Sequence, residues 1–133
     1  MDNGIPAPNE GSDARLQRVR ALAGCSALLL ALCEASRGRL TMPQAAFFIL
    51  ASAWDLLGRP ATRAQLLDEE GGRLNKSVKN TYRHLLDPSR RHPDALGWLQ
   101  AVPNEDDLRE HHLVLTGRGR KVIEGALAAV ETV

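Results

Sequence analysis

The sequence predicts a mainly helical α+β domain in which one small β-hairpin precedes the last helix. Apolar residues recur at helical spacing over much of the first two thirds of the chain and again near its end. Between these regions, residues 98–115 have the composition of two short strands separated by a turn. With 133 residues, the chain is long enough for one domain with a modest core.

The overall composition is that of an ordinary soluble protein, with 44% apolar residues, 25% charged residues and a net charge of +1. The charge is unevenly spread, because residues 72–92 contain six Lys or Arg and only one acid, Asp87. A basic patch on a near-neutral protein is typical of a surface that binds phosphates, although a solvated helix face has the same composition.

The N-terminal region divides into a tail and a long apolar helix. Residues 1–12 contain two Pro and two Gly without apolar periodicity, which predicts a disordered tail before a single domain at 13–133. Asp13 is a candidate N-cap for a helix over about 13–37. The run at 21–33 is apolar nearly all round, so we expect it to be buried on several sides, partly by a partner subunit.

The same apolar run bears on the compartment of the protein. It is shorter than a transmembrane helix and Glu34 ends it, which predicts a cytoplasmic protein without membrane contact. Cys25 and Cys33 lie in this run without nearby cations, so we expect both thiols to be reduced, buried and inert.

Two similar signals begin the next two helices. In Thr41-Met42-Pro43-Gln44 an N-cap is followed three residues later by Gln, with Pro in the first turn, which predicts a helix over 43–57. The stretch from Thr62 to Gln65 repeats the signal and predicts a short helix over 62–70. Phe47, Phe48 and Trp54 fall at helical spacing and favour core packing over a ligand pocket.

A second, basic helix is predicted after a glycine break. Gly71 and Gly72 interrupt the chain, Asn75 is a good N-cap, and Asp87-Pro88 ends the helix, giving bounds of about 75–87. At 100° per residue the polar side carries Lys76, Lys79, Asn80 and Arg83, and the apolar side carries Val78, Tyr82 and Leu85, with Leu86 at the border. The sequence therefore predicts helix, turn, helix over residues 62–87.

The hairpin and the last helix follow a polar, basic loop. Residues 98–102 and 109–116 have strand composition, and Asn-Glu-Asp-Asp at 104–107 has turn composition, so a hairpin is predicted over 98–115. Thr116 is a candidate N-cap for a final helix over 117–132. Its apolar stripe consists of Val122, Ile123, Ala126, Leu127 and Val130.

This order of elements is that of a winged helix-turn-helix, and the residues from about Leu40 to Val130 resemble the MarR family of bacterial transcription regulators. The junction Leu115-Thr116-Gly117-Arg118-Gly119 is similar to the Leu-Thr-x-x-Gly step of that family, and the wing tip maps to Asp107-Leu108-Arg109. The chain departs from the family in Leu108 where Arg is usual, in the acids at 105–107, in a longer loop over 86–97, and in one extra residue near Gly71-Gly72.

The resemblance implies a homodimer that is built from its terminal helices and binds a pseudo-palindromic site in double-stranded DNA. Residues 75–86 would enter the major groove and the wing at 98–115 would lie near the minor groove. A small-molecule effector, common in the family, is a further expectation. The candidate DNA-binding residues are Asn75, Lys76, Ser77, Lys79, Asn80, Arg83, Arg90, Arg91 and Arg109.

These residues differ in what they can contact. Asn80 can pair with adenine and Arg83 with guanine, whereas Lys76 and Lys79 suit phosphates. Asn75 and Ser77 could add contacts to the DNA backbone. Arg90 and Arg91, in the long loop, could replace basic residues that the acidic wing lacks. Arg109 could reach a minor groove or could pair with the neighbouring acids Asp106 and Asp107.

Other functional classes receive less support. The sequence has no phosphate-cradling glycine loop, nucleophile elbow, HExxH motif or convincing acid pair, which argues against an enzyme. The four histidines lack the spacing of a metal site, so we expect neither metal nor cofactor. Two alternatives remain open: a winged helix that binds a protein through its acidic wing, or a DNA-binding factor in plasmid or phage replication or recombination.

Overall fold

The computed structural model describes residues 8–133, with the side chains of 8–10, Glu70, Asn75, Lys76, Ser77 and Leu108 outside the description. The helices are α1 (Pro8–Ala35), α2 (Met42–Leu56), α3 (Arg63–Val78), the short 3-10 helix η1 (Tyr82–Leu85) and α4 (Gly117–Glu131). Strands β1 (Leu99–Asn104) and β2 (Asp107–Leu115) form an antiparallel hairpin. The predicted class, mainly helical with a hairpin before the last helix, is confirmed.

Helix α1 begins earlier than predicted. The expected disordered tail at 1–12 is wrong for residues 8–12, which are helical, and residues 1–7 lie outside the described part of the chain. Pro8 is the first helical residue, where its missing N–H leaves no intrahelical bond unmade. Asp13 is therefore inside the helix and is not its N-cap.

Both helix-start signals with Thr and Gln are confirmed. At α2, Thr41 accepts a hydrogen bond from the Gln44 backbone N–H, and the Gln44 side chain accepts one from Thr41 N–H. Thr62 and Gln65 make the same reciprocal pair at the start of α3. Thr116 caps α4 by accepting from Gly119 N–H. These local signals satisfy orphan donors of the first helical turn.

The predicted helices at 62–70 and 75–87 are wrong in their bounds. One hydrogen-bonded helix, α3, runs through Gly71 and Gly72, although both have positive φ angles, +70° and +79°, which lie outside right-handed helical geometry. Asn75 is therefore within α3 rather than at an N-cap. After Val78 the chain makes a turn over 79–81 and continues as η1.

Tertiary hydrogen bonds account for the end of the predicted basic helix. The carbonyl oxygens of His84, Leu85 and Leu86 accept backbone N–H groups from the chain entering β1, at 2.7–2.9 Å. Pro88 has no N–H with which to bond the His84 carbonyl in an α-helix. Residues 82–86 therefore run beside the segment 96–98 instead of extending a regular helix.

The hairpin is joined to the start of α3. Leu99 pairs with Leu115 at its open end, and the register continues to Pro103 and His111, where it shifts. Thr62 forms an isolated antiparallel bridge with His112, and Leu113 N–H donates to Ala61 O at 2.9 Å. The chain before α3 thus adds a short third strand segment to the hairpin.

The core is built around α2. Phe47 and Phe48 are completely buried, as the helical spacing predicted; Phe48 packs on Trp98 with ring centroids 4.9 Å apart, and Phe47 packs on Tyr82 at 5.8 Å. Trp54 is partly buried against the same core. Aromatic pairs at these distances contribute beyond their buried area.

Helix α1 packs on α4 but is mostly exposed. Gly24 is buried where a Cβ would lie 3.2 Å from Val130 Cγ1, and Leu32 is fully buried. Five large apolar residues of α1 are exposed: Leu16, Val19, Leu22, Leu29 and Leu30. One chain therefore buries only a narrow part of residues 21–33, and their burial on further sides by a partner subunit stays a prediction.

One further expectation for this helix is corrected and another stays a prediction. Cys25 and Cys33 are exposed rather than buried, because they lie off the narrow strip of α1 that contacts α4. By length and composition alone, Gly11–Ala35 is long and apolar enough to cross a membrane, since an 18-residue stretch within it has a mean hydropathy of 1.4. Core helices of soluble proteins meet the same criterion, so the expected absence of membrane contact stays a prediction.

Candidate nucleic-acid interface

The basic segment, residues 78–86, has one buried and one charged side. Val78 and Leu85 are completely buried and Tyr82 nearly so, whereas Lys79, Asn80 and Arg83 are exposed. The predicted division between core and cationic sides is confirmed for these six residues, although the backbone is a turn and a 3-10 helix. The apolar anchors therefore hold the cations toward solvent.

Buried Gln44 ties the basic segment to α2. Its Nε2 donates to Thr81 O at 3.0 Å, while its Oε1 accepts Thr41 N–H at 2.9 Å. The turn at 79–81, which carries Lys79 and Asn80, is thereby fixed to the first turn of α2. The sequence showed the capping role of Gln44 but gave no sign of the contact with Thr81.

We expect Gln44→Leu to destabilise the protein by about 2 kcal/mol, because a buried amide loses two hydrogen bonds and leaves Thr81 O without that donor. Gln65→Leu is the matched control, since exposed Gln65 accepts the equivalent capping bond at α3. It should cost no more than about 1 kcal/mol. Urea unfolding followed by circular dichroism measures both, and equal losses would contradict a special role for the Thr81 contact.

The long loop at 87–97 presents two more cations beside this segment. Ser89 and His92 exchange backbone hydrogen bonds of 3.1 Å, which close a tight turn with exposed Arg90 and Arg91 at its tip. Ala95 and Leu96 are buried, and Leu96 N–H donates to His84 O at 2.7 Å. The loop is therefore packed against η1 through its end, and its two arginines are exposed on the turn at 89–92.

Two cavities flank the basic segment. The wing cavity, about 600 Å³, lies between the start of α3, η1 and the hairpin, and its lining includes Arg63, Tyr82 and Arg109. The corner cavity, about 370 Å³, lies where the start of α2 meets the turn 79–81 and the long loop, and its lining includes Asn80 and His92. Arginine side chains therefore occur on both sides of residues 78–86, with Arg63 and Arg109 in the wing cavity and Arg39 in the corner cavity.

Arg63 is a candidate contact that sequence reasoning missed. Its guanidinium lies 5.5 Å from the centroid of the Tyr82 ring, and its Nη1 donates to Tyr82 Oη at 3.4 Å. An arginine stacked on an aromatic ring keeps its remaining donors in a fixed plane. Only the folded chain reveals this role, because Arg63 and Tyr82 are far apart in sequence.

Arg109 lies on the hairpin side of the same cavity and its side chain is exposed. The hydrogen bond that joins it to Asp107 is made by the Arg109 backbone N–H, with Asp107 Oδ1 at 3.0 Å. Asp107 and Glu110 also line the wing cavity, so the two acids formally balance Arg63 and Arg109. The side of the segment toward the hairpin is thus less basic than the side toward the loop.

The remaining predicted site residues fall in the last turns of α3. Asn75, Lys76 and Ser77 are helical, but their side chains lie outside the described part of the structure. Within that described part, no group of three or more His, Cys, Asp or Glu side chains is placed to hold a metal ion.

Comparisons with known proteins add nothing to these observations: no protein-family model, curated protein or solved structure matches the chain. Functional inference therefore depends on the residues themselves. The clearest local feature is the exposed cationic side of residues 78–86, with its apolar residues in the core and arginines on both flanks.

Proposed function

We propose that the protein binds double-stranded DNA in a sequence-specific manner as a winged-helix transcription regulator similar to the MarR family. The observation that carries the proposal is the arrangement of Lys79, Asn80 and Arg83 on the exposed side of a segment whose other side is core. In this proposal the end of α3 and the basic segment face the major groove, and the hairpin approaches the minor groove.

The order of the elements supports this proposal. Helix α2 is followed by a strand segment at Ala61–Thr62, then by α3, the basic segment, the hairpin and α4. A winged helix has this sequence of helix, short strand, two helical elements and wing. The irregular second element, a turn and a 3-10 helix, is where the chain departs most from that pattern.

The expected contacts follow from the chemistry of the exposed side chains. Lys79, Arg90 and Arg91 would neutralise phosphates, which binds all sequences and makes affinity fall steeply with salt. Asn80 and Arg83 can make bidentate contacts with adenine and guanine edges, which select sequence. Arg109 would approach the narrower groove from the hairpin.

Selection of bound duplexes from a random pool tests this function directly. A regulator should enrich a pseudo-palindrome with half-sites about one helical turn apart, and its affinity should fall steeply as salt rises. Absence of enrichment, with binding no tighter than about 10⁻⁴–10⁻⁶ M, would refute sequence-specific recognition.

We further propose a cytoplasmic homodimer that buries the exposed apolar face of α1. At 100° per residue, exposed Val19, Leu22, Leu29 and Leu30 form a stripe on the side of α1 away from Gly24, and exposed Leu16 lies beside it. Exposed apolar stripes of this extent mark interfaces in soluble proteins. A second copy would cover this stripe with its own, as a two-fold axis requires, and would place two basic segments on one duplex.

We expect Leu22→Glu combined with Leu30→Glu to convert the dimer to a monomer, because two carboxylates would be buried in a two-fold apolar contact. Met42→Glu with Leu57→Glu is the matched control, since Leu57 and Leu22 are both 72% exposed but Leu57 lies outside α1. Sedimentation equilibrium without detergent measures the mass. A monomeric wild-type chain, or recovery of the wild type only in membranes, would contradict the dimer.

The hairpin tip favours one alternative function. Glu105, Asp106 and Asp107 are all exposed where β1 turns into β2, and acids repel DNA phosphates. A winged helix used as a protein-interaction module would place this acidic tip against a basic partner. Loss of partner binding on replacing the three acids with Asn or Gln, together with no DNA enrichment, would favour this alternative.

A further inference from the structure

The corner cavity has an unusual lining. It contains an arginine, two histidines and several neutral polar side chains, and no carboxylate among its lining residues: Arg39, Thr41, Gln44, Asn80, Thr81, His84 and His92. These residues come from the α1–α2 corner, the start of α2, the turn 79–81, η1 and the long loop. Nearly all of their side chains can donate hydrogen bonds.

Arg39 is held in place by backbone carbonyls. Its Nε donates to Ser36 O at 3.3 Å and its Nη1 donates to Asp94 O at 3.1 Å. These contacts use two of the five N–H donors of the guanidinium. Because both acceptors are neutral, the full positive charge of Arg39 remains available to the cavity.

His84 lines the cavity from a fixed backbone. Its backbone N–H donates to Thr81 O at 3.1 Å, and its carbonyl oxygen accepts from Leu96 N–H at 2.7 Å. The Nε2 atom of its ring is shielded from water, so a group held in the cavity would meet another part of the imidazole.

We propose that the corner cavity binds a phosphate group. A tetrahedral oxyanion can accept from donors that converge from several directions, which suits Arg39, Asn80 and the two imidazoles. The cavity does not depend on the N-terminus of α2, because Thr41 and Gln44 already pair with each other there. A metal cation is disfavoured by the charge of Arg39.

The phosphate has two chemical sources. One is the backbone of DNA bound at the basic segment, an arm that rests on the proposed function because Asn80 belongs to both surfaces. The other is free phosphate or a small phosphorylated molecule, which needs no DNA.

Imidazole NMR of the full chain tests the site. The four histidines provide an internal control, because His84 and His92 line the corner cavity whereas His111 and His112 lie on β2. We expect inorganic phosphate at constant pH and ionic strength to shift the His84 and His92 resonances along a saturable curve. Chloride at matched ionic strength should not. His84→Gln and His92→Gln assign the signals.

Arg39→Gln should weaken phosphate binding at least ten-fold, whereas Arg59→Gln, at an exposed arginine outside the cavity lining and outside the proposed DNA-binding residues, should change it less than two-fold. The thermal midpoint of each variant shows whether it remains folded. If Arg39→Gln unfolds the chain, Asn80→Ala replaces it, because Asn80 is exposed. Non-saturating shifts that are equal at all four histidines would indicate an adventitious ion only and overturn the proposal.

Addition of a short duplex at low salt separates the two sources. If the cavity takes a DNA phosphate, the duplex moves the same two resonances and competes with inorganic phosphate. If the duplex binds without moving them while phosphate still saturates, the site serves a free phosphate compound. If no duplex binds, the proposed function fails, but the phosphate titration still decides the site.

Discussion

Gly119→Ala is expected to leave the protein unable to hold its native fold. A Cβ at this position would overlap the Trp98 carbonyl oxygen and lie 2.8 Å from the carbonyl carbon. These are backbone atoms, and they are fixed by Trp98 N–H donating to Leu85 O and by Thr116 N–H donating to Trp98 O. Because the overlapping atoms belong to the backbone, no side-chain movement can relieve the clash.

The expected loss exceeds about 4 kcal/mol, a large fraction of the total stability of a small domain. Gly125→Ala is the matched control, because Gly125 lies in the same helix, is exposed, and has space for a Cβ with no described neighbour within 4 Å. It should gain about 0.5–1 kcal/mol from helix propensity.

Denaturant unfolding monitored by circular dichroism measures both variants, and the two changes should have opposite signs. The free energy of unfolding of Gly119→Ala could instead lie within about 1 kcal/mol of the wild-type value, a loss small beside the ~4 kcal/mol expected. In that case α4 does not approach the Trp98 backbone as closely as described. The same result would weaken the assignment of Leu115–Gly119 as a tight strand-to-helix junction.

Reversing two charges together, by Lys79→Glu and Arg83→Glu, is expected to reduce DNA affinity by about 10²–10³-fold at low salt, because two attractive contacts become repulsive. Both side chains are exposed while their neighbours Val78 and Tyr82 anchor the segment, so the fold should be retained. The slope of log affinity against log salt should also become shallower.

The matched control is Arg20→Glu with Lys121→Glu, which changes net charge by the same amount on exposed positions of α1 and α4. Fluorescence anisotropy with a labelled duplex measures affinity over a range of salt concentrations. If the control loses as much as the test pair, the effect is one of net charge. The basic segment would then have no special role.

The features that the sequence predicted well are those with local causes. The Thr–Gln capping pairs at α2 and α3 involve residues three positions apart, so their hydrogen bonds form wherever the helix forms. The predicted separation of buried Val78, Tyr82 and Leu85 from exposed Lys79 and Arg83 also holds, although this segment is a turn and a 3-10 helix rather than the predicted α-helix. Spacing of three or four residues separates two faces in either geometry.

The structural features that the sequence did not predict depend on residues that are far apart along the chain. The end of the basic helix follows from hydrogen bonds between His84–Leu86 and the segment 96–98, which no local pattern encodes. Arg63 and Arg39 gain their positions from Tyr82 and Asp94 after folding. The exposure of Cys25 and Cys33 was missed because an apolar run does not reveal whether its partner is the same chain.

The packing of the first helix on the last has a consequence for synthesis. Helix α1 is synthesised before residues 36–116, and its contact α4 is made only afterwards. At roughly 5–20 residues per second, this interval lasts on the order of 10 s. Once α1 has left the ribosome and until α4 follows it, both apolar sides of α1 face water, so this nascent segment is a natural binding site for chaperones that hold extended apolar chains.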